Sequence, residues 1–454
     1  MEAAYHRPWR PARYWIAGLI GVAVLLVIIA SSVLAVRFQQ VPTRGTLFAL
    51  PAVLLILAAT AFAARGLHDH GRTKRLRDLA RAGALLGLGL LLWLVVLDLY
   101  TFTNSAGPLV ATLCALACLP TTAAGLFVVR RLDRNEKEPW RLVMVAFAWG
   151  AIVSTSLVVW AEALWDGFAG QRLLPGPALD ISTAYSAGIW EELAKGVAVL
   201  LLYLVMRAEF DDVVDGIVYG AAVGFGFNFM ESITYMTHLY AAFSPQGAGT
   251  GALAASAQWY GRQVLGLFFG HATYTALVGA GIGVARQLPR LGQRVLSILA
   301  GFLVAIAAHF AWDAWAAFFP ISNSPFALVE VHLRTLTMQG PFTAVVLVLL
   351  AMGLQIEGGA LRRQLAAEAA GNLGTVLPEE VPVLIRPGQR LRARLQALGR
   401  GGPSAYLRLH HLQRAQLHLA MERWHRERHE IDEPLAAEEH LRQRVLTLRR
   451  QLAA

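Results

Sequence analysis

Charge is what this chain has least of. Only 15% of its 454 residues are Asp, Glu, Lys or Arg, where a soluble domain carries about 25%. Cysteine is almost missing as well: Cys114 and Cys118 are the whole supply. They stand one helical turn apart, share a helix face, and place their backbones poorly for a bridge. They read as small packing residues, and a disulfide framework is excluded. No internal repeat or low-complexity tract is present.

What fills the chain is apolar. Hydrophobic residues make up 56% of it, and mean hydropathy is +0.49. The reading is an all-α polytopic membrane protein of about ten transmembrane helices with a C-terminal cytoplasmic helical tail. A span needs about twenty residues, and ten stretches qualify: Trp15–Val36, Thr46–Ala64, Ala82–Phe102, Pro108–Val129, Leu142–Trp165, Tyr185–Met206, Val213–Met236, Gly261–Ala285, Val295–Phe318 and Leu336–Gln355. The first is too long, and too poor in a small-residue cleavage site, for a removed signal peptide.

The net charge of +10 is unevenly placed. Arg7, Arg10 and Arg13 precede the first span. Arg65 to Arg81, Arg130 to Arg141 and Arg286 to Arg294 crowd alternate connections, and the others hold few basic residues. By the positive-inside rule both termini are cytoplasmic, in a multi-pass protein of the plasma membrane. The basic excess is thus an orientation signal, and no nucleic-acid partner is expected.

Composition shifts at Glu357. From there on the chain has sixteen Arg, no Lys and eleven acidic residues. The expected division is an N-terminal four-helix region (1–131), a membrane-embedded core (132–356) and an Arg-rich tail (357–454). "GRGGPS" marks a loop, with Ser404 as the expected cap of a helix running to about Glu430. A second helix after Pro434 would complete a hairpin, resting on anionic lipid. His411, His418 and His425 are two turns apart, about 10 Å, too far for one ion.

Several spans carry groups that lipid penalises by at least about 2.5–3.5 kcal/mol each. Span six begins "IWEELAK", with Glu191, Glu192 and Lys195. Span seven holds Asn228 and Glu231, span eight opens on His271, and span nine has His309 and Asp313. Asp98 in span three stands alone. Glu191 and Lys195 share a face, as do His309 and Asp313. The lysine can neutralise one carboxylate and leave the other free. Asp313 can point at a common centre with His309 or orient its ring. Glu231 with two imidazoles suits a tetrahedral Zn²⁺-type site with one position for water, and a nearby glutamate can act as general base. Singly, each group has a structural reading, and Asp211, Asp212 and Asp215 are expected on a solvated cytoplasmic turn. Together, on adjacent spans, they read as a functional site.

These motifs resemble the PrsW family of intramembrane proteases, in the superfamily of the CAAX-processing and Abi membrane proteases. "EELAK" matches EExxK, "FNFME" matches FxxxE, "HATYTALVG" looks like the His motif with its downstream Gly, and "HFAWD" like HxxxN/D. "LDRNEKEP" (132–139) and "EFDDVVDGIVYGAAVGFGF" (209–227) also look like the family, and the likeness covers roughly Leu132 to Phe318. It implies hydrolysis of a membrane-anchored protein, in the best-known case an anti-sigma factor. Glu191 or Glu192 would activate water, with Glu231, His271 and His309 ligating metal or stabilising the oxyanion. Glu191 is the expected base, Lys195 its partner, and Glu231, His271, His309 and Asp313 the expected zinc-binding set. A metal-free glutamic mechanism fits the motifs too. The rivals are a proton-coupled transporter and a catalytically silent scaffold.

Overall fold

The computed structural model describes residues 72–159, 177–206, 209–318, 325–427 and 435–453, with a few isolated positions besides. The first two expected spans lie outside these segments. Among the described residues there is no strand. The longer helices are α1 (Arg72–Ala106), α2 (Pro108–Leu132), α3 (Trp140–Ala148), α4 (Pro177–Val205), α5 (Val213–Phe243), α6 (Ala248–Trp259), α7 (His271–Gln287), α8 (Leu291–Phe318), α9 (Ala327–Ala370), α10 (Pro387–Glu427) and α11 (Leu435–Ala453). Among the described residues, seven helical stretches are long and apolar enough to cross a membrane. The charged turn Glu191–Lys195, midway along α4, keeps it out of that seven, although Gly196 onward is wholly apolar.

Local chemistry accounts for the helix boundaries. Pro108 follows Gly107, whose φ of 82° suits a residue without Cβ, and a proline at the first helical position loses no needed hydrogen bond. α5 begins at a reciprocal capping box: Asp212 Oδ1 accepts from the N–H of Val214 at 2.7 Å, and Asp215 Oδ2 accepts from that of Asp212 at 3.2 Å. α3 runs on through a π turn at Trp149–Ser154, and α6 through another at Tyr260–Leu265. In each the extra residue rotates the following face, as π turns at functional sites commonly do.

α5 is the axis of the bundle. From Val213 to Asn228 every side chain is buried, between α2 and α3 on one side and α7 on the other. A Cβ on Gly216 would overlap the carbonyl of Gly279. One on Gly220 would overlap that of Thr275, and one on Gly224 that of His271. α5 and α7 therefore meet backbone to backbone at three points over about two turns, the small-residue packing of membrane helices. Cys114 and Cys118 are free, buried thiols, and Cys118 Sγ lies 3.7 Å from Met236 Sδ.

α9 passes Glu357 without interruption. Beyond it Leu361, Leu365 and Ala369 pack on Leu417, Met421 and Trp424 of α10, while Leu412 and Leu419 pack on Leu441 and Val445 of α11. Carboxylates tie the Arg-rich surfaces together: buried Glu368 receives Arg442 at 2.9 Å, and half-buried Glu380 receives Arg449 at 2.5 Å. α10 breaks at Gly401 and Gly402, as the glycines foretell. Ser404 is no cap, however, for its hydroxyl donates to the Gly401 carbonyl at 3.3 Å.

The turn before α5 is not solvated. Asp212 and Asp215 are buried, because the α2–α3 connection and α9 close over them. With Asp133, Glu138, Asp211 and Glu357 they line a cavity of about 50 Å³. Burial first, and then the neighbouring carboxylates, hold Asp133, Glu138 and Asp211 well above the ordinary carboxylate range and push Asp212 up to about 7.

Candidate active site

Four membrane helices and one π turn converge on a second, wholly different polar cluster. α4 supplies Glu191, Glu192 and Lys195 from a single turn, which is why three ionisable groups can sit at the start of an apolar run. Lys195 Nζ lies 2.6 Å from Glu192 Oε1 and 3.1 Å from Glu191 Oε2, with Glu192 and Lys195 fully enclosed. Below it the face of Phe227 stands 4.3 Å away, a second site for a buried cation.

His271 is the first residue of α7, placed there by the break at Gly270. Its Nδ1 is 3.1 Å from Lys195 Nζ and its Nε2 is 2.6 Å from Glu231 Oε2. An ammonium cannot accept, so Nδ1 takes its hydrogen bond and Nε2–H donates to Glu231. The position of α7 follows from the glycine seam, since Gly224 touches the His271 backbone itself. The N-terminal partial charge of α7 also faces these carboxylates.

His309 of α8 stacks on Tyr274 at 4.9 Å between ring centres. Its Nδ1 is 2.9 Å from Glu192 Oε1, and Thr275 Oγ1 donates to the other oxygen of Glu192 at 3.3 Å. The Nε2 of His309 is 3.6 Å from Glu191 Oε2 and 3.4 Å from Asp313 Oδ2. Glu192 is thus fully engaged. Glu191 keeps an oxygen facing both imidazoles, being also 3.6 Å from His271 Nδ1.

The structure brings all seven expected site residues together. It also adds one that the sequence reading passed over. Arg262, in the π turn after α6, grips Glu231 with two hydrogen bonds of 2.7 and 3.0 Å and lies over Tyr235 at 4.1 Å. Its signal was visible, since it is the one basic residue in the expected eighth span. Gln263 beside it ties the turn to Ser232 at 2.9 Å and accepts from Thr121 at 2.8 Å. Asp98 stays apart on α1, where its Oδ2 has no hydrogen-bond partner among the described residues.

Glu191, Glu192, His271 and His309 each offer a ligand atom, all within 4.8 Å of one another. The fit to a tetrahedral ion can be tested on spacing. Ligands about 2.0–2.2 Å from Zn²⁺ are about 3.3–3.6 Å apart, and Glu191 Oε2 stands 3.6 Å from both His271 Nδ1 and His309 Nε2. The donor set fits. Glu231 and Asp313 lie outside that group of four, each against a histidine.

Residues 138–351, a window holding the whole cluster, match the family model described as PrsW family intramembrane metalloprotease. The protease PrsW of Geobacillus kaustophilus (strain HTA426) is 31% identical over 104 residues, covering 23% of this chain and 43% of that relative. The chain therefore spans less than half of that relative's length. No solved structure matches. Both matches support the PrsW family, and the helices that build this cluster lie in the stretch that is similar to it.

Proposed function

We propose that the protein is a PrsW-type intramembrane protease that hydrolyses a peptide bond of a membrane-anchored protein. The observation that supports this best is the placement of Glu191: a buried carboxylate whose oxygen faces two imidazoles across 3.6 Å, in a cluster shielded from lipid. Water and a scissile bond can meet in membrane only where protein lines the space.

In this reading Glu191 takes the proton of the attacking water and returns it to the leaving amine. Glu192 and Asp313 orient His309, and Glu231, held by Arg262, orients His271. Lys195 pairs with both α4 carboxylates and fixes their directions. His271, His309 and the Glu191–Glu192 pair would hold a Zn²⁺-type ion, which supplies an acidified water and charge stabilisation when bound. Charge balance favours this. Four carboxylates face two fixed cations, Lys195 and Arg262, leaving two negative charges in a low-dielectric interior when the imidazoles are neutral.

Helix rise sets the depth. Glu191 is about 21 Å from the Val205 end of α4 and Glu231 about 27 Å from the Val213 end of α5, at 1.5 Å per residue. With those ends cytoplasmic, the orientation that the basic loops favour, the cut would fall in the outer half of the bilayer.

A metal-free glutamic mechanism is the second reading, favoured by one contact. Lys195 already serves the His271 Nδ1 lone pair that an ion would need. Elemental analysis of purified protein, with cleavage of a membrane-anchored test substrate in vesicles, separates the two. Stoichiometric zinc that is lost in His271→Ala and His309→Ala supports the first; a folded, active, metal-free enzyme supports the second. Full cleavage by Glu191→Gln would sink both.

A further inference from the structure

We propose that the acidic cavity under the α4–α5 connection is a binding site for a hard divalent cation of the Ca²⁺ or Mg²⁺ class. It is separate from the cluster around Glu191 and does not depend on the proteolytic reading. Three segments build it: the α2–α3 connection with Asp133 and Glu138, the α4–α5 connection with Asp211, Asp212 and Asp215, and Glu357 of α9. Ligand oxygens of Asp211, Asp212 and Asp215 all lie within 4.8 Å of one another.

The independent sign of a ligand is Asp133. Its side chain is buried, at 1% exposure. Oδ1 accepts from the N–H groups of Asn135 and Glu136 at 3.1 and 3.0 Å, while Oδ2 has no hydrogen-bond partner among the described residues, and Asp133 is one of the residues lining the cavity. A buried carboxyl oxygen left unmatched is unfavourable, and such groups are paired or coordinate metals.

The other carboxylates each commit one oxygen to the fold. Tyr219 donates to Glu138 Oε2, and Asn135 Nδ2 donates to Glu357 Oε2 at 2.9 Å. Glu138 also faces Asp215, and Asp212 faces Glu357. Nearby guanidinium groups do not fill the gap: Arg130 donates to the Glu138 carbonyl at 2.6 Å and Arg390 to that of Arg134 at 3.1 Å. Lys137 is the one cation in the lining, and it is exposed.

A donor set of carboxylate oxygens, with neither imidazole nor thiolate, selects hard cations over zinc. The cavity, about 50 Å³, exceeds the 10–15 Å³ or so that a water needs, so it admits an ion with one or two waters. Bound there, the cation would clamp both connections to α9 where the tail begins.

The test is calorimetric titration of the detergent-purified full chain, after chelation, with Ca²⁺, Mg²⁺ and Zn²⁺ at pH 8, alongside thermal unfolding. Saturable binding of Ca²⁺ or Mg²⁺ at one site is expected, with an unfolding midpoint raised by several degrees. His271→Ala should leave that binding unchanged. Asp133→Asn should abolish it while the chelated protein unfolds at an equal or higher temperature, since its amide can donate to the facing carboxylates. Glu357→Gln serves as a second variant and should weaken binding at least tenfold. No saturable Ca²⁺ or Mg²⁺ binding in wild type overturns the proposal, and so does binding that neither variant alters.

Discussion

Lys195 Nζ and Glu192 Oε1 stand 2.6 Å apart, one turn of α4 between them, with no exposed surface on either side chain. Removing one member of a buried pair strands the other charge and costs about 3–5 kcal/mol. Lys195→Met should lower stability by that order in thermal unfolding. Lys195→Met with Glu192→Gln should recover part of it, and equal losses in the single and double variants would show that the pair is not coupled.

Arg262 holds Glu231 through a fork of two hydrogen bonds, a geometry that an ammonium cannot copy. Arg262→Lys is therefore expected to fold but to lose about 10–100-fold in kcat, the usual cost of disturbing a group that orients a histidine. KM should change little. A drop in KM alone, or wild-type turnover, would show that Glu231 needs no such clamp.

Glycine variants should divide by what their Cβ meets. Gly224→Ala drives a methyl into the His271 carbonyl and should cost about 1–3 kcal/mol, with activity lost through the shifted imidazole. Gly358→Ala, in open space on α9, should be neutral or stabilising by up to about 1 kcal/mol. Unfolding midpoints of the two, measured side by side, decide it.

The acidic cavity makes stability depend on pH. Asp212 is pushed up to about 7 by burial and then by Asp215, from an ordinary value of about 3.9. It is faced by Asp133, Glu136, Lys137, Glu138, Glu209, Asp211 and Glu357. A raised carboxyl favours its neutral form in the fold, so its contribution is intact below about pH 4 and lost as pH rises through about 7. Chelated protein should unfold at a lower temperature at pH 8 than at pH 5.5. A midpoint that climbs over that range would count against the arrangement.

Long apolar runs made the helices readable, because period and length suffice for a segment whose partners are lipid or other apolar faces. The EELAK turn, His271 and the His309–Asp313 pair were readable for the opposite reason, as charge where lipid forbids it. Arg262 was harder. Its role depends on a π turn that no periodicity reveals, and on Glu231, thirty-one positions earlier. The burial of Asp212 and Asp215 was not readable at all, since the lid over them comes from segments far off in sequence, at Asp133–Glu138 and Glu357. Ser404 misled because its hydroxyl can donate as well as accept.

The backbone contact between α5 and α7 bears on how a substrate gets in. Where Gly216, Gly220 and Gly224 lie against carbonyls, no side chain intervenes whose rotamers could swing aside, so the two helices must travel as one rigid unit. A gate cannot open along that seam. The same closeness ties α8 to its neighbours, where Gly281 of α7 meets Gly301 and Gly188 of α4 meets the Ile306 carbonyl, so on the proposed function the opening is expected beside the π turn that carries Arg262. On that function Asp313, the most exposed carboxylate of the cluster at 27%, is the first charged group that a peptide would be expected to meet.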